Sequence, residues 1–453
     1  MMLMKRRDFL KVGAAAGAMA SLYGCAGGGK ASGHVVVVGG GYGGATIAKY
    51  LRMWSEGNVQ VTLIERNPTF ISCPISNLVI GGTKTMEDIT VSYDGLKNKW
   101  GVRIVQDEVV AVDAAKRSIS LKAGGAMSYD RLVLSPGVDF MWDEIPGLKS
   151  AEAQSKILHA WKAGPQTVAL RKQLESMKDG GTYAISIPKA PYRCPPGPYE
   201  RACLVADHLK TRFGANTTAK VIVLDENAKI QAEVDTFTKA FNEVHGTVIT
   251  YVPGASNINI DRVGLTVNYT VPNPDPLATP ALVQAPTINA KVINPIVPHR
   301  ARGAGASGWL SAAGLANSAD GKWCNVDVLS YESTAKANVH VIGDAASCGL
   351  PKAGHVANQE AKICADAIVR LLGGGQPDPA PVANSACYSP VTASTASWLT
   401  VVYQYDSVNR KMTPAFNGGV TAGATPIEAA SISNSNFRQM NTWFNSLMGD
   451  SFA

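Results

Sequence analysis

The chain has 453 residues, 46 % hydrophobic and 17 % charged, with a formal charge of +7 and eight cysteines. That length holds two or three domains with large cores, and the composition is not that of a disordered chain. With residues 1–24 set aside, 38 basic residues face 34 acidic ones, a balance of +4; with no basic stripe carrying interleaved aromatics, nothing argues for nucleic acid as a partner.

Lys5-Arg6-Arg7-Asp8-Phe9-Leu10-Lys11 reads as a twin-arginine export signal. The Gly/Ala-rich run after it is too short and too weakly apolar to span a membrane. Such signals serve proteins exported folded, often with a cofactor already loaded. Two readings of the processing site stand side by side. Leu22-Tyr23-Gly24-Cys25 resembles a lipoprotein box with Cys25 as the lipid-bearing residue, and Ala18-Met19-Ala20 is an ordinary cleavage site. The glycine-rich tether that follows suits a lipid anchor. Signal and tether together occupy residues 1–33.

"HVVVVGGGYGGATIAKYLRMW" predicts strand, glycine turn and helix. Gly39, Gly41 and Gly44 fit G-x-G-x-x-G, and the next strand, "VQVTLIER", carries Glu65 at its end. In that context the triplet specifies a dinucleotide cradle. Gly39 makes the turn, Gly41 admits the pyrophosphate to the helix N-terminus, and Glu65 accepts from the adenosine ribose. "YDRLVLSPG" (129–137) reads as the strand that closes this first part of the domain, residues 34–154.

Residues 155–290 open a second nucleotide-fold pattern: strand "GGTYAISIP", helix "YERACLVADHLKTRF", strand "AKVIVLDEN". The turn between the first strand and the helix is "PYRCPPGPYERAC". Pro195, Pro196 and Pro198 lack amide donors there, so it is a poor phosphate cradle and no NAD(P) site is expected. Arg193 in this turn could still meet a phosphate. The turn instead presents Cys194 close to a helix N-terminus, where amides and the helix dipole are expected to lower its pKa. A structural disulfide or a buried cysteine explains the same position as well. The Pro-rich "VPNPDPLATPALVQAP" reads as a surface insertion.

Residues 291–376 return to the first domain, with "NVHVIGDAA" placing Asp344 at a strand end; the pattern resembles FAD-binding disulfide-reductase-like folds, in which such a strand brings an Asp to the flavin ribityl chain. His355, in "KAGHVANQ", is expected at a helix start facing the flavin pyrimidine edge. Residues 377–453 form a C-terminal segment. Its last helical pattern has Phe437, Met440, Trp443, Phe444 and Leu447 on one face, read as docking on the protein's own core rather than on a membrane. Cys203 and Cys364 fall in helical patterns and read as core, and Cys324 as structural. Cys348 lies near Asp344 and is a weaker candidate for a third reactive thiol. No C-x-x-C-H occurs, so the chain attaches no c-type haem, and no cluster has zinc-ligand spacing. The fold class expected is α/β: two Rossmann-like nucleotide-binding domains of the disulfide-reductase type plus a C-terminal α+β segment.

From about residue 34 onward the chain resembles the flavoprotein subunit of flavocytochrome c sulfide dehydrogenase. The likeness is carried in order by "VVVVGGGYGGATIAKY", "VTLIERNPTFISCPISNLVIGG", "HAWKAGPQTVALRKQLE", "YRCPPGPYERA", "WCNVD", "VHVIGDAA", "PKAGHVANQ" and "ACYS". The resemblance implies FAD held covalently through Cys73, a redox-active Cys194–Cys387 pair, and Glu200 as the acid/base. Read from "ISCP" alone, Cys73 would be a buried small hydrophobe. The resemblance further implies sulfide oxidation outside the cytoplasm with electrons passing to a c-type cytochrome subunit. The rival enzyme is a sulfide:quinone oxidoreductase, which should carry an amphipathic C-terminal membrane element. A rival of another class is a non-catalytic flavin-bearing scaffold or sulfur carrier.

Overall fold

The computed structural model describes residues 31–277, 279–416, 419–420 and 426–453. The twin-arginine segment and Cys25 lie outside them. Strand β1 (Gly33–Val38) runs into helix α1 (Tyr42–Trp54), then strand β2 (Val59–Ile64), helix α2 (Ser76–Gly81), strand β3 (Arg103–Val105) and strand β4 (Arg131–Leu134). β1 pairs in parallel with β2 on one side and β4 on the other, and β2 pairs with β3. Val35, Val36 and Val37 of β1 are fully buried. A parallel strand covered on both faces needs such a continuous β-branched run.

The second domain begins with strand β5 (Thr182–Ile187), followed by helix α3 (Gly197–Phe213), strand β6 (Lys220–Asp225) and strand β7 (Ile249–Pro253). After β7 the chain makes an antiparallel pair, β8 (Ser256–Asp261) and β9 (Thr266–Pro272), before strand β10 (Val292–Pro295). β5 lies between β6 and β10, all parallel, with β7 outside β6.

The Pro-rich stretch is only partly the surface insertion expected. Leu282–Gln284 and Ile288–Asn289 pair back onto β9. One face of this sheet joins a core with Ile145, Leu148 and Ile293 through Val267, Tyr269 and Ile288. Alternation along β9 supplies that buried face. The hairpin tip is exposed at Leu277.

Strand β11 (Val339–Val341) pairs in parallel with β4, returning the chain to the first sheet. Helix α4 (Gly354–Leu372) follows, then strands β12 (Val382–Pro390), β13 (Ala396–Asp406) and β14 (Lys411–Phe416), an antiparallel sheet, and helix α5 (Asn434–Phe452). Ser433 caps α5, its hydroxyl accepting from the Asn436 amide at 3.1 Å. Met440, Phe444 and Leu447, one face at helical spacing, are buried, as is Phe452. Each contributes about 1.5–3 kcal/mol by leaving water. The apolar face of α5 is therefore spent on the protein's own core. Phe452 stacks on Phe70 with ring centroids 4.7 Å apart. Among the described residues no helix is long and apolar enough to cross a membrane.

Candidate active site

The turn after β1 works only with glycine at two positions. Gly39 has φ +95°, and a Cβ there would lie 2.2 Å from the Ser135 carbonyl oxygen. A Cβ on Gly44 would lie 1.7 Å from the Gly39 carbonyl oxygen, so α1 can approach the turn only because that Cβ is missing. Gly41 caps α1 without a side-chain hydrogen bond and faces a cleft of about 700 Å³. The unpaired amides of a 13-residue helix thus open into that cleft, with no acidic side chain in its first turn to occupy them.

Gly39, Gly41, Glu65, Cys73, Arg193 and Asp344 line this one cleft. Gly44 sits a turn deeper. Glu65 is fixed in place: one carboxylate oxygen accepts from the Gly40 amide at 2.8 Å, the other from the Asn67 amide at 2.8 Å and its side chain at 2.7 Å. Asp344 follows β11, with Gly343 before it at φ +71°. A helix N-terminus for a pyrophosphate and two carboxylates for sugar hydroxyls fit a bound FAD.

Cys73 lies half-buried in the loop before α2, where the Ala163 amide donates to its Sγ at 3.5 Å. Arg193 joins this cleft to the thiol region. Its guanidinium lies 3.7 Å from Asp344 and donates to the Trp161 carbonyl. Burial works against its charge, but Cys73, Asp344 and Cys194 around it raise its pKa. The sequence suggested Arg193 only as a phosphate partner. Its bridging position depends on Trp161, whose indole donates to the Arg193 carbonyl at 3.1 Å.

Cys194 occupies the left-handed region at φ +59° in the turn before α3. Its amide donates to the Lys352 carbonyl and its carbonyl accepts from Gly197, at 2.8 and 2.9 Å. A Cβ on Gly197 would lie 2.8 Å from the Cys194 sulfur and 2.8 Å from the Trp161 ring. Only glycine lets the thiol fold over the helix start. Cys387 lies mid-strand on β12, opposite Leu399. The preceding Ala386 amide donates to His355 Nδ1 at 2.9 Å, so His355, in the first turn of α4, pins this strand. Burial holds His355 neutral, with its pKa down at about 4.

Cys194 and Cys387 are half-buried free thiols, and α3, which starts just after Cys194, packs against β12, which carries Cys387. Glu200, in the first turn of α3, is buried and accepts from Asn77 at 2.9 Å. Burial pushes its carboxyl up to about 8, against the pull of Asn77 and Arg201. Arg201 is fully buried, donating to Asn77, His159, Ala160 and Asn294 at 2.8–2.9 Å. It ties α2, the chain after residue 158 and β10 together beneath the thiols.

The expected lowering of the Cys194 pKa does not occur. Burial raises the thiol well above its ordinary value, with Glu200 and then Cys387 adding to it. Arg193 and the Gly197 amide pull the other way and lose. The prolines leave that helix end few amide donors to add to them. Cys203, Cys324 and Cys364 are fully buried. Cys348 is buried too and donates to Glu360 at 3.0 Å, so it is not an accessible thiol. Among the described residues no group of His, Cys, Asp and Glu could hold a metal ion.

In the second domain Asp225 ends β6, where a ribose-binding acid would stand. It already accepts from Tyr199 at 2.7 Å, Tyr251 at 2.9 Å, and the Asn227 amide and side chain at 2.9 and 2.7 Å. Two oxygens with four donors are saturated.

The fold and the cleft define an FAD-dependent oxidoreductase of the pyridine nucleotide-disulphide oxidoreductase type, and that family model matches residues 33–174. The sulfide:quinone oxidoreductase of Aquifex aeolicus has the same fold, with a TM-score of 0.70 at 18 % identity over 92 % of this chain and 91 % of that one. Two more specific models match: the central region of the sulfide dehydrogenase [flavocytochrome c] flavoprotein chain over residues 167–274, and the flavocytochrome c sulphide dehydrogenase flavin-binding region over 379–452. The flavoprotein chain of Chlorobaculum thiosulfatiphilum is 56 % identical over 46 residues, 94 % of that sequence and 10 % of this one. The chain belongs to the family of flavocytochrome c sulfide dehydrogenase flavoproteins. The mitochondrial sulfide:quinone oxidoreductase of Dictyostelium discoideum is 24 % identical over 54 % of this chain, which spans 59 % of that protein's length. Residues 3–23 match the twin-arginine signal model, which supports export to the periplasm.

Proposed function

We propose that the protein is an exported sulfide dehydrogenase that opens a Cys194–Cys387 disulfide with hydrosulfide and passes the electrons to a c-type cytochrome. The observation that supports this reading is the packing of α3, which follows Cys194 and bears buried Glu200, against β12, which bears Cys387. Hydrosulfide attacks one sulfur, forming a cysteine persulfide as the disulfide breaks. The other sulfur leaves with the electron pair. Glu200, with its pKa at about 8, can exchange the proton at neutral to mildly alkaline pH. The incoming sulfide and not the resting enzyme supplies the nucleophile, so a raised Cys194 does not hinder the attack, while the raised pKa of the sulfur that leaves calls for a proton donor beside it.

Gly41, Glu65 and Asp344 would hold FAD in the cleft, and Cys73 would bond to it covalently. The flavin supplies an acceptor that takes electrons in pairs and releases them singly. Arg193, between Cys73, Asp344 and Cys194, would set the electrostatics where flavin and thiols meet. Lipidation at Cys25 would anchor the exported protein.

Anaerobic titration with sulfide, followed by flavin absorbance, is the test. Bleaching at one equivalent in wild type, and its loss in both Cys194→Ser and Cys387→Ser, is expected. A flavin that sulfide leaves oxidised would make the protein a scaffold or sulfur carrier. Likeness to sulfide:quinone oxidoreductases favours quinone as the rival acceptor, while the buried apolar face of α5 removes the membrane contact expected of that helix. Turnover with cytochrome c faster than with decylubiquinone is expected, and the reverse order would assign the quinone reaction.

A further inference from the structure

Glu233 lies far from Cys387 in sequence and has no motif around it. It precedes the short helix Val234–Lys239 in the left-handed region, at φ +52° and ψ +52°. Its side chain is 1 % exposed. The Ser389 hydroxyl donates to its Oε2, and its Oε1 has no hydrogen-bond partner. A buried carboxyl oxygen left without a partner is costly and calls for a reason.

Ser389 gives that reason a location. It stands two residues after Cys387 on β12, so both side chains project from the same face of the strand. Opposite Ser389 on β13 is Ser397, which hydrogen-bonds Thr236 at 2.9 Å. The segment bearing Glu233 is thereby laced to the strand face that carries Cys387. Of the charged groups that bear on Cys387, Glu233 weighs most and Glu200 next, whereas on Cys194 Glu200 weighs most.

We propose that Glu233 is the proton-holding partner of Cys387, as Glu200 is of Cys194, so that each sulfur of the pair has its own buried carboxyl. This rests on the thiol-pair reading above. When hydrosulfide bonds to Cys194 Sγ, the Sγ–Sγ bond breaks and its electron pair leaves on Cys387 Sγ. Glu233, present as the neutral acid, gives its proton to that thiolate and is left as a carboxylate, held by the Ser389 hydroxyl. One S–S bond forms and one breaks, and total charge is conserved. Burial places Cys387 at about 12 and Glu233 at about 8, so the proton moves downhill. Two other acids complete the charge environment. Glu200 and Glu428 raise Glu233 after its burial, and half-buried Glu428, which accepts from the Thr236 amide at 3.0 Å, lies toward solvent.

The test uses flavin-loaded protein, reduced and desalted anaerobically, with alkylation of Cys387 and Cys194 by iodoacetamide followed by mass spectrometry from pH 6 to 10. Glu233→Gln keeps the shape and the Ser389 contact but neither carries charge nor gives a proton. Cys387 alkylation at pH 9 is expected to rise about tenfold, one pKa unit, with Cys194 changed less than twofold and sulfide-driven flavin reduction slowed about tenfold or more. Ser389→Ala, which keeps the acid, is expected to shift the Cys387 profile in a protein that melts near wild type. A Cys387 profile unchanged in either folded variant overturns the proposal. Because the profile is read on reduced thiols, it is independent of the thiol-pair reading. That reading fails separately if the oxidised wild type alkylates at both cysteines without reductant.

Discussion

Gly197 is where backbone geometry and thiol chemistry meet most closely. Any side chain there must displace either the Cys194 sulfur or the Trp161 ring, each 2.8 Å from the position of its Cβ. Gly197→Ala is therefore expected to keep flavin and fold, at a cost of about 1–3 kcal/mol for overpacking, while sulfide-driven flavin reduction drops at least about tenfold. Stopped-flow absorbance measures the drop, and an unchanged rate would place the reacting sulfur elsewhere. Cys73 gives a second prediction at this scale. Acid precipitation should leave the yellow chromophore with wild-type protein and free it into the supernatant from Cys73→Ser; colour in the wild-type supernatant would refute the covalent bond. Little of this chemistry is legible locally. "ISCP" looks like a core cysteine, and the raised thiol of Cys194 follows from burial and from Glu200, which only the tertiary structure brings to bear. Glu233 carries no sequence signal at all, because its link to Cys387 runs through Ser389 on another element.

Elements were far more legible than contacts. β1, β2, β5 and β6 read correctly because parallel strands buried on both faces are apolar throughout, and glycine spacing fixed where α1 begins. The face of α5 was legible from period alone, and the structure adds what it covers. The β8–β9 sheet was not legible as packed structure, since prolines at 272, 274, 276 and 280 hide a strand whose alternate residues are buried. The β5–α3 turn yields a prediction about the element. With its prolines in place of a phosphate cradle and Asp225 saturated by Tyr199, Tyr251 and Asn227, NADH and NADPH should leave the flavin oxidised. Rapid bleaching by either at micromolar concentration would overturn that reading of the second domain.

The whole molecule buries ionisable groups of both kinds, and their signs set its response to pH. Burial raises Glu200 and Glu233 to about 8 and Glu226 and Glu360 to about 7. It lowers His159 and His299 to about 3 and His340 and His355 to about 4. Below about pH 6.5 the unfolded histidines bind protons that the folded ones refuse, so stability falls as pH drops. Above about pH 4.5 the unfolded carboxyls release protons that the folded ones keep, so stability falls as pH rises, until the folded groups titrate at 7–8. The two trends oppose each other between those limits, and past pH 6.5 only the second remains. Calorimetry should find the melting temperature falling by several degrees from pH 6.5 to 8, with a shallower slope in Glu233→Gln. A melting temperature that rises over that interval would contradict the assignment. The stacking of Phe452 on Phe70 also bears on how the protein is made. Phe70 lines the flavin cleft, so one wall of it is braced by residues translated some 380 positions later. In a nascent chain that wall is expected to stay unbraced until residues 434–453 have left the ribosome. Cofactor loading is thereby expected to follow synthesis of this helix and to precede export by the twin-arginine route that residues 3–23 indicate.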